Sequence, residues 1–245
     1  MDFELTEDQA TIRRAVVELA GKFDDQYWLE KDAAHEFPTE FYQAFADGGW
    51  LGITTAEEYG GHGFGITEAS LLLEEVSASG AGMNGASSMH LSIFGMHPVI
   101  VHGSEEMKKE NLPRIVNGRK VWISKAAESE KILLLTRTSK FEDVKKKTDG
   151  LTLFLTDLDR THVDIRPIKK MGRNAVSSNE LFIDDLPVPE EHRIGEEGEG
   201  FRYILDGLNP ERMLIAAEAL GLGRAAIRRA VRYGNEREVD RKSVV

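Results

Sequence analysis

Apolar and polar positions follow two different rhythms along this chain, and the change falls near Gly118. Before it, apolar residues recur three and four apart, the spacing of one buried helix face. Ile12, Val16, Leu19 and Phe23 form one such series, opened by a Thr6–Gln9 capping-box pair with Leu5 placed as a hydrophobic staple. Pro38 suits the first turn of a second helix, with Phe41 and Phe45 inward and Gly48-Gly49 ending it. A third helix is predicted from about Thr67, through Leu71, Leu72, Glu75 and Val76, fading at Ser79-Gly80. Ala86 to Val101 is apolar almost all round and predicts a helix buried within a bundle. Ser104 then caps a short amphipathic helix that Pro113 closes.

After Gly118 the period shortens. Val121–Ile123, Lys131–Arg137, Leu151–Thr156, Val163–Ile168 and Asn179–Ile183 are short and β-rich, with turn-like or charged stretches between them. Lys145-Lys146-Lys147 followed by Asp149-Gly150 has the character of a solvated hairpin loop. The runs lie too close together for crossover helices, so an antiparallel sheet or open barrel is expected rather than a Rossmann fold. From Gly200 the helical period returns. Asn209 and Pro210 are placed as cap and first position, followed by Met213, Ala217, Leu220, Arg224, Ile227 and Val231 on one face. The predicted class is α+β: an N-terminal helical bundle over 1–116, a partial antiparallel β-barrel or sheet domain over 117–197, and the start of a C-terminal helical domain over 198–245.

Composition narrows the classes of function. The 245 residues are 41% hydrophobic and 30% charged, as in a folded globular protein. A net charge of -11 disfavours nucleic acid as the main partner, although a local basic patch could still hold phosphates. With no cysteine, disulfides and thiolate metal sites are excluded. Met1-Asp2-Phe3-Glu4 lacks the basic start and apolar run of a secretory signal, and no uncharged stretch is long enough to span a bilayer. A cytoplasmic protein is expected, or one of the mitochondrial matrix if the source is eukaryotic.

Several motifs carry no chemistry. Gly60-Gly61-His62-Gly63-Phe64-Gly65 lacks the third glycine and the βαβ setting of a dinucleotide loop, and reads as a connection between helices. The 7 histidines are scattered without a metal-binding spacing, and no Gly-x-Ser-x-Gly elbow is present. The informative stretch runs from Met171-Gly172 to Phe201, where a strand, an acidic turn, two prolines and a glycine-punctuated entry into a helix follow one another.

That stretch closely resembles the segment leading acyl-CoA dehydrogenases from their middle sheet domain into their last helices. Three further stretches match the same family in the same order: Ala56-Glu57-Glu58-Tyr59-Gly60-Gly61, Val121-Trp122-Ile123-Ser124, and Leu208-Asn209-Pro210-Glu211-Arg212. The resemblance implies a flavoprotein that oxidises an acyl-CoA thioester to the trans-2-enoyl-CoA, with FAD as cofactor, an electron-transferring flavoprotein as oxidant, and a homo-oligomeric assembly. A carboxylate takes the α-proton and the β-hydride passes to flavin N5. Such a proton is weakly acidic, so the base must be positioned and the carbonyl polarised by hydrogen bonds. Trp122 and Ser124 lie two apart on a strand, hence on one face. The resemblance makes Trp122, Ile123 and Ser124 flavin-binding residues, with the indole as a wall beside the ring and the hydroxyl near N5. Without the resemblance, a core tryptophan and a strand-edge serine are the favoured account of these residues. Glu211 falls where one branch of the family carries its catalytic base, although an acid in a first helical turn also complements the helix dipole. Arg212 matches a position that holds the CoA portion, or is a solvated helix-surface arginine.

The chain departs from the family twice. Val116-Asn117-Gly118-Arg119-Lys120 leads straight into the Trp122 strand, where the family has several dozen more residues that supply the first barrel strands and contacts to flavin and CoA. Asp240 to Val245 does not continue the family phrase begun by Arg237-Glu238-Val239. The expectation is an internally deleted and C-terminally truncated member. It is either a shortened enzyme, or a catalytically inactive remnant or acyl-CoA-binding module without redox activity.

Overall fold

The computed structural model describes residues 4–57, 61–103 and 114–238. The predicted helix from Ser104 to Pro113, part of the Ala56–Gly61 motif, and the last seven residues lie outside them. Helix α1 (Glu7–Ala20) has the expected capping box, and Ile12 and Val16 are buried. Helix α2 (Asp25–Ala34), which the apolar spacing does not signal, is capped by the Asp24 side chain and buries Trp28 alone. Helix α3 (Thr39–Asp47) turns Phe41 and Phe45 inward as expected. Helix α4 (Ile66–Val76) passes into a wider helical turn over Ser77–Ala81, which Gly80 permits at φ 116.

The single buried helix expected over 86–101 is two. Helix α5 (Gly82–Gly95) stops before Pro98, and α6 (His97–His102) begins with that proline in its first turn. A proline at this position cannot donate to the preceding turn and its ring crowds the carbonyl there, so the rod breaks.

Among the described residues, six strands form two antiparallel sheets: β1 (Arg114–Ser124), β2 (Lys131–Arg137), β3 (Leu151–Asp157), β4 (Val163–Pro167), β5 (Ser178–Val188) and the two-residue β6 (Arg193–Ile194). One sheet has the order β1-β5-β4 and the other β2-β3-β6. β1 starts at Arg114 rather than Val121 because its early residues pair with the far end of β5, Arg114 opposite Val188. Lys145, Lys146 and Lys147 are exposed on the loop joining β2 to β3. Val116, Leu134, Phe154, Leu181 and Leu186 fill the core between the two sheets, which do not close into a barrel.

Helix α7 (Gly200–Glu236) corrects two expectations. It begins ten residues before Pro210 and runs through it, so Asn209 and Pro210 are not a cap and a first position. A proline inside a helix costs about 3 kcal/mol. Burial on both sides of it holds the rod together: Tyr203 and Gly207 before, Leu214, Ala217, Glu218 and Gly221 after. The buried stripe is also not the expected one. Ala217 is on it, but Met213 (48%), Leu220 (64%) and Ile227 (66%) are exposed, because the face meeting α4 and α5 is led by Leu214, Glu218 and Gly221. Leu214 joins the helical core of Val16, Phe41, Leu72 and Met89, and Tyr203 joins Leu153 and Ile194 beside the sheets. No helix among the described residues is long and apolar enough to cross a membrane.

Candidate active site

The end of β1 is irregular for a reason legible in its pairing. Its register against β5 slips between Lys120 and Ile123, and Trp122 takes the left-handed conformation at φ 62. Regular pairing resumes with Ile123 opposite Asn179 and Ser124 opposite Ser178. The Asn179 side chain donates to the Ile123 carbonyl at 3.1 Å, and the Lys125 amide to the Ser177 carbonyl at 3.0 Å. The simple alternation that would set Trp122 and Ser124 on one face is therefore broken by a bulge. The indole is 65% exposed.

Trp122, Ile123 and Ser124 nonetheless border one cavity, of about 520 Å³, which Glu211 also lines. The rest of the wall is mostly apolar: Leu91, Phe94 and Pro98 from α5 and α6, Ile132 to Leu135 from β2, and Ile204 and Leu208 from α7. Gly207 allows α7 to approach this wall closely, since a Cβ there would lie 2.8 Å from the Pro98 ring. Arg212 does not border the cavity. It is exposed, and its Nη1 donates to Asn209 Oδ1 at 2.6 Å within the same helix.

Motif and spacing did not single out Lys120 or β2 for this site. Lys120 reaches across from β1 to donate its Nζ to the Leu135 carbonyl of β2 at 2.7 Å, and burial pushes its pKa down. Its position two residues before Trp122 is the one available signal. The unalternating Leu133-Leu134-Leu135 run, apolar on both faces, is the corresponding signal for β2. His90 Nδ1 of α5 and Glu218 Oε1 of α7 meet at 2.7 Å, both buried, which fixes the two helices against each other.

The cavity falls in the size range of small-molecule sites, apolar with few polar groups. The carboxylate of Glu211, the Ser124 hydroxyl and the half-buried Lys120 ammonium on its lining can hold and polarise a bound molecule and accept a proton from it. The wall suits a planar heteroaromatic ring. A large exposed indole stands at it, and the polar groups nearby, Ser124 and Lys120, can each donate a hydrogen bond.

Three domain models of one family match the chain in order: acyl-CoA dehydrogenase N-terminal domain over residues 6–119, middle domain over 102–186 and C-terminal domain over 198–245. Acyl-CoA dehydrogenase fadE12 of Mycobacterium bovis is 28% identical over 267 positions, covering 96% of this chain and 68% of that protein. Cyclohex-1-ene-1-carbonyl-CoA dehydrogenase of Syntrophus aciditrophicus is 29% identical, covering 96% of this chain and 64% of that one. The chain thus spans about two thirds of the length of these relatives. An alignment of 267 positions is longer than the chain itself, so it opens gaps in this chain. In fold, the chain is similar to the solved glutaryl-CoA dehydrogenase in complex with glutaryl-CoA, with a TM-score of 0.89 at 24% identity, covering 98% of this chain and 69% of that one. The ordered match of all three domain models, together spanning nearly the whole chain, shows that the chain belongs to the acyl-CoA dehydrogenase family.

Proposed function

We propose that this chain carries out the family's reaction, FAD-dependent oxidation of an acyl-CoA thioester to the trans-2-enoyl-CoA, in the cavity between β1, β2, α5 and α7. The observation that carries this reading is that Trp122, Ile123 and Ser124 of one family motif border the same apolar cavity as Glu211 of another. Trp122, Ile123 and Ser124 are the residues that would hold the flavin, the indole offering an aromatic wall and the hydroxyl a hydrogen bond. FAD, when bound, supplies the hydride-accepting chemistry that no side chain can. Glu211 would take the α-proton on its carboxylate, in a site whose walls are mostly apolar. Arg212, exposed on the outer side of α7, is assigned the CoA portion of the substrate. An electron-transferring flavoprotein as the oxidant and a homo-oligomeric assembly belong to the same proposal.

The test is optical. The purified chain, supplied with FAD, is expected to show a flavin absorbance band that bleaches on adding an acyl-CoA. Glu211→Gln is expected to keep the band and slow bleaching by about a hundredfold or more, the usual worth of a positioned base. A protein that gains no flavin band would be an inactive remnant or a binding module. Bleaching at an unchanged rate in Glu211→Gln would remove Glu211 from the mechanism.

A further inference from the structure

Two strands that line the cavity belong to different sheets. β1 lies in the sheet β1-β5-β4 and β2 in the sheet β2-β3-β6, and no ladder joins the two among the described residues. β1 contributes Lys120, Trp122 and Ser124 to the lining, and β2 contributes Leu133 and Leu135. β2 pairs with β3 along one side only. Hydrogen bonds from the Leu158 amide to the Glu130 carbonyl at 2.7 Å and from the Thr138 amide to the Gly150 carbonyl at 3.0 Å fix the phase of this antiparallel pair. The even-numbered residues of β2 turn their backbone groups to β3, which leaves the Leu135 amide and carbonyl on the open edge. An edge carbonyl in apolar surroundings needs a partner. Lys120 Nζ supplies it, reaching across from β1 at 2.7 Å.

The same lysine stands at the last regular pair of β1, opposite Leu181, before the register slips. The slip ends at Ile123, whose carbonyl accepts from the Asn179 side chain at 3.1 Å. Between these two anchored residues lie Val121 and Trp122, both exposed. Trp122 holds φ 62, a left-handed conformation that a tryptophan keeps only where its neighbours impose it. Its indole joins none of the three buried clusters, so the two ends of the bulge set its place. Lys120 is a costly residue for a half-buried position, and burial pushes its pKa down. A methionine would fill the same space without desolvating an ammonium, but it would not donate to Leu135.

We propose that Lys120 is a positioning residue: a strut from β1 to the open edge of β2 that sets the spacing of the two strands and the place of the Trp122 indole at the cavity. It acts through Trp122 and the strand edges, without contact to reacting atoms. The benefit to a bound flavin rests on the proposed function, whereas the strut itself stands on the two sheets and the bulge.

The experiment is fluorine NMR of the full chain labelled with fluorotryptophan, which reads Trp28, Trp50 and Trp122 separately, the last assigned by Trp122→Phe. Lys120→Met is expected to move the Trp122 resonance while those of Trp28 and Trp50 hold. Lys120→Arg, long enough to span and still a donor, is expected to return it toward the wild-type position. Titration with FAD gives the second reading. Lys120→Met is expected to weaken FAD binding by about tenfold or more, and Lys120→Arg to keep it near wild type. Lys120→Met combined with Trp122→Ala is expected to bind no more weakly than the weaker single variant, because both act at one point. An unmoved Trp122 resonance in Lys120→Met, no rescue by Lys120→Arg, or additive losses in the double variant overturns the strut. Lys120→Gln, too short to span, replaces the methionine variant if that one folds poorly; movement of all three resonances in both overturns a local role. A wild type that takes up no flavin, but whose Trp122 resonance follows Lys120, removes the proposed function and keeps the strut. Flavin binding that ignores Lys120, with Trp122 unmoved, does the reverse.

Discussion

Glu218 shows how much one buried side chain decides here. It has no solvent exposure, one carboxylate oxygen meets His90 Nδ1 at 2.7 Å, and the other finds no hydrogen-bond partner among the described residues. It lies two helical turns beyond Glu211, on the same side of α7. The contact therefore sets how α7 presents Glu211 to the cavity. Removing the carboxylate leaves His90 unpartnered in the core, a loss of about 1–3 kcal/mol before any cavity is counted. Glu218→Ala is expected to lower the denaturant midpoint by that amount, and Glu218→Gln, which keeps a hydrogen bond, by less. Equal effects of the two in chemical denaturation would show that the His90 contact contributes nothing. Neither residue is distinguished in the sequence, because a lone histidine on an apolar helix has no pattern until its partner, 128 positions away, is known.

At the scale of elements, two glycines on α7 behave oppositely although they are two residues apart. A Cβ on Gly221 would lie 2.0 Å from the Glu74 carbonyl oxygen of α4, so that position is where the two helices touch backbone to backbone. A Cβ on Gly223 would meet nothing within 4 Å. Gly223→Ala is expected to stabilise by up to about 1 kcal/mol through helix propensity alone. Gly221→Ala is expected to destabilise despite the same propensity gain, because α7 must move off α4 and loosen the Arg224 contacts to Glu74 and Glu75, at 2.6 and 2.8 Å. Thermal melts of the two variants separate these outcomes; a shift of the same sign in both would deny the close approach. The same contact explains why the apolar stripe read from the sequence was the wrong one. Met213, Leu220 and Ile227 keep helical spacing, but the small residue, Gly221, chose the packed face.

The whole molecule is held together by polar ties between its helical and sheet parts. Asp32 of α2 accepts from the Asn174 backbone at 2.7 Å and from the Asn84 side chain at 3.0 Å, joining α2, the β4–β5 loop and α5. Partial burial raises its pKa, but the hydrogen bonds from Asn84 and Asn174 outweigh that and leave it below the ordinary value of 3.8. A carboxylate with a depressed folded-state pKa contributes stability above its unfolded value, and that contribution is lost as pH falls through the folded value. Acid unfolding below about pH 4 is therefore expected to be less steep in Asp32→Asn than in wild type, with Asp32→Asn the less stable at neutral pH. Parallel acid-unfolding curves for the two would remove Asp32 as a tie. Arg13 and Arg224 make a comparable link, both reaching Glu75 and so binding α1, α4 and α7 together.

Local chemistry determined a good deal of this protein from sequence alone. The Thr6–Gln9 capping box, the inward Phe41 and Phe45, the strand at Lys131–Arg137 and the charged hairpin loop are each fixed by residues within a few positions of one another. The family, too, was legible in short ordered motifs. The tertiary structure alone decided which face of α7 is buried, that Pro210 sits inside a continuous helix, and that Pro98 divides the buried helix in two. It also decided that Trp122 reaches its cavity through a bulge and that Lys125 lies against Tyr42 and Ser88. The physical reason is common to all of these. Caps and turns are satisfied by near neighbours, whereas the choice of face, the tolerance of a proline and the burial of a charge depend on partners distant in the chain.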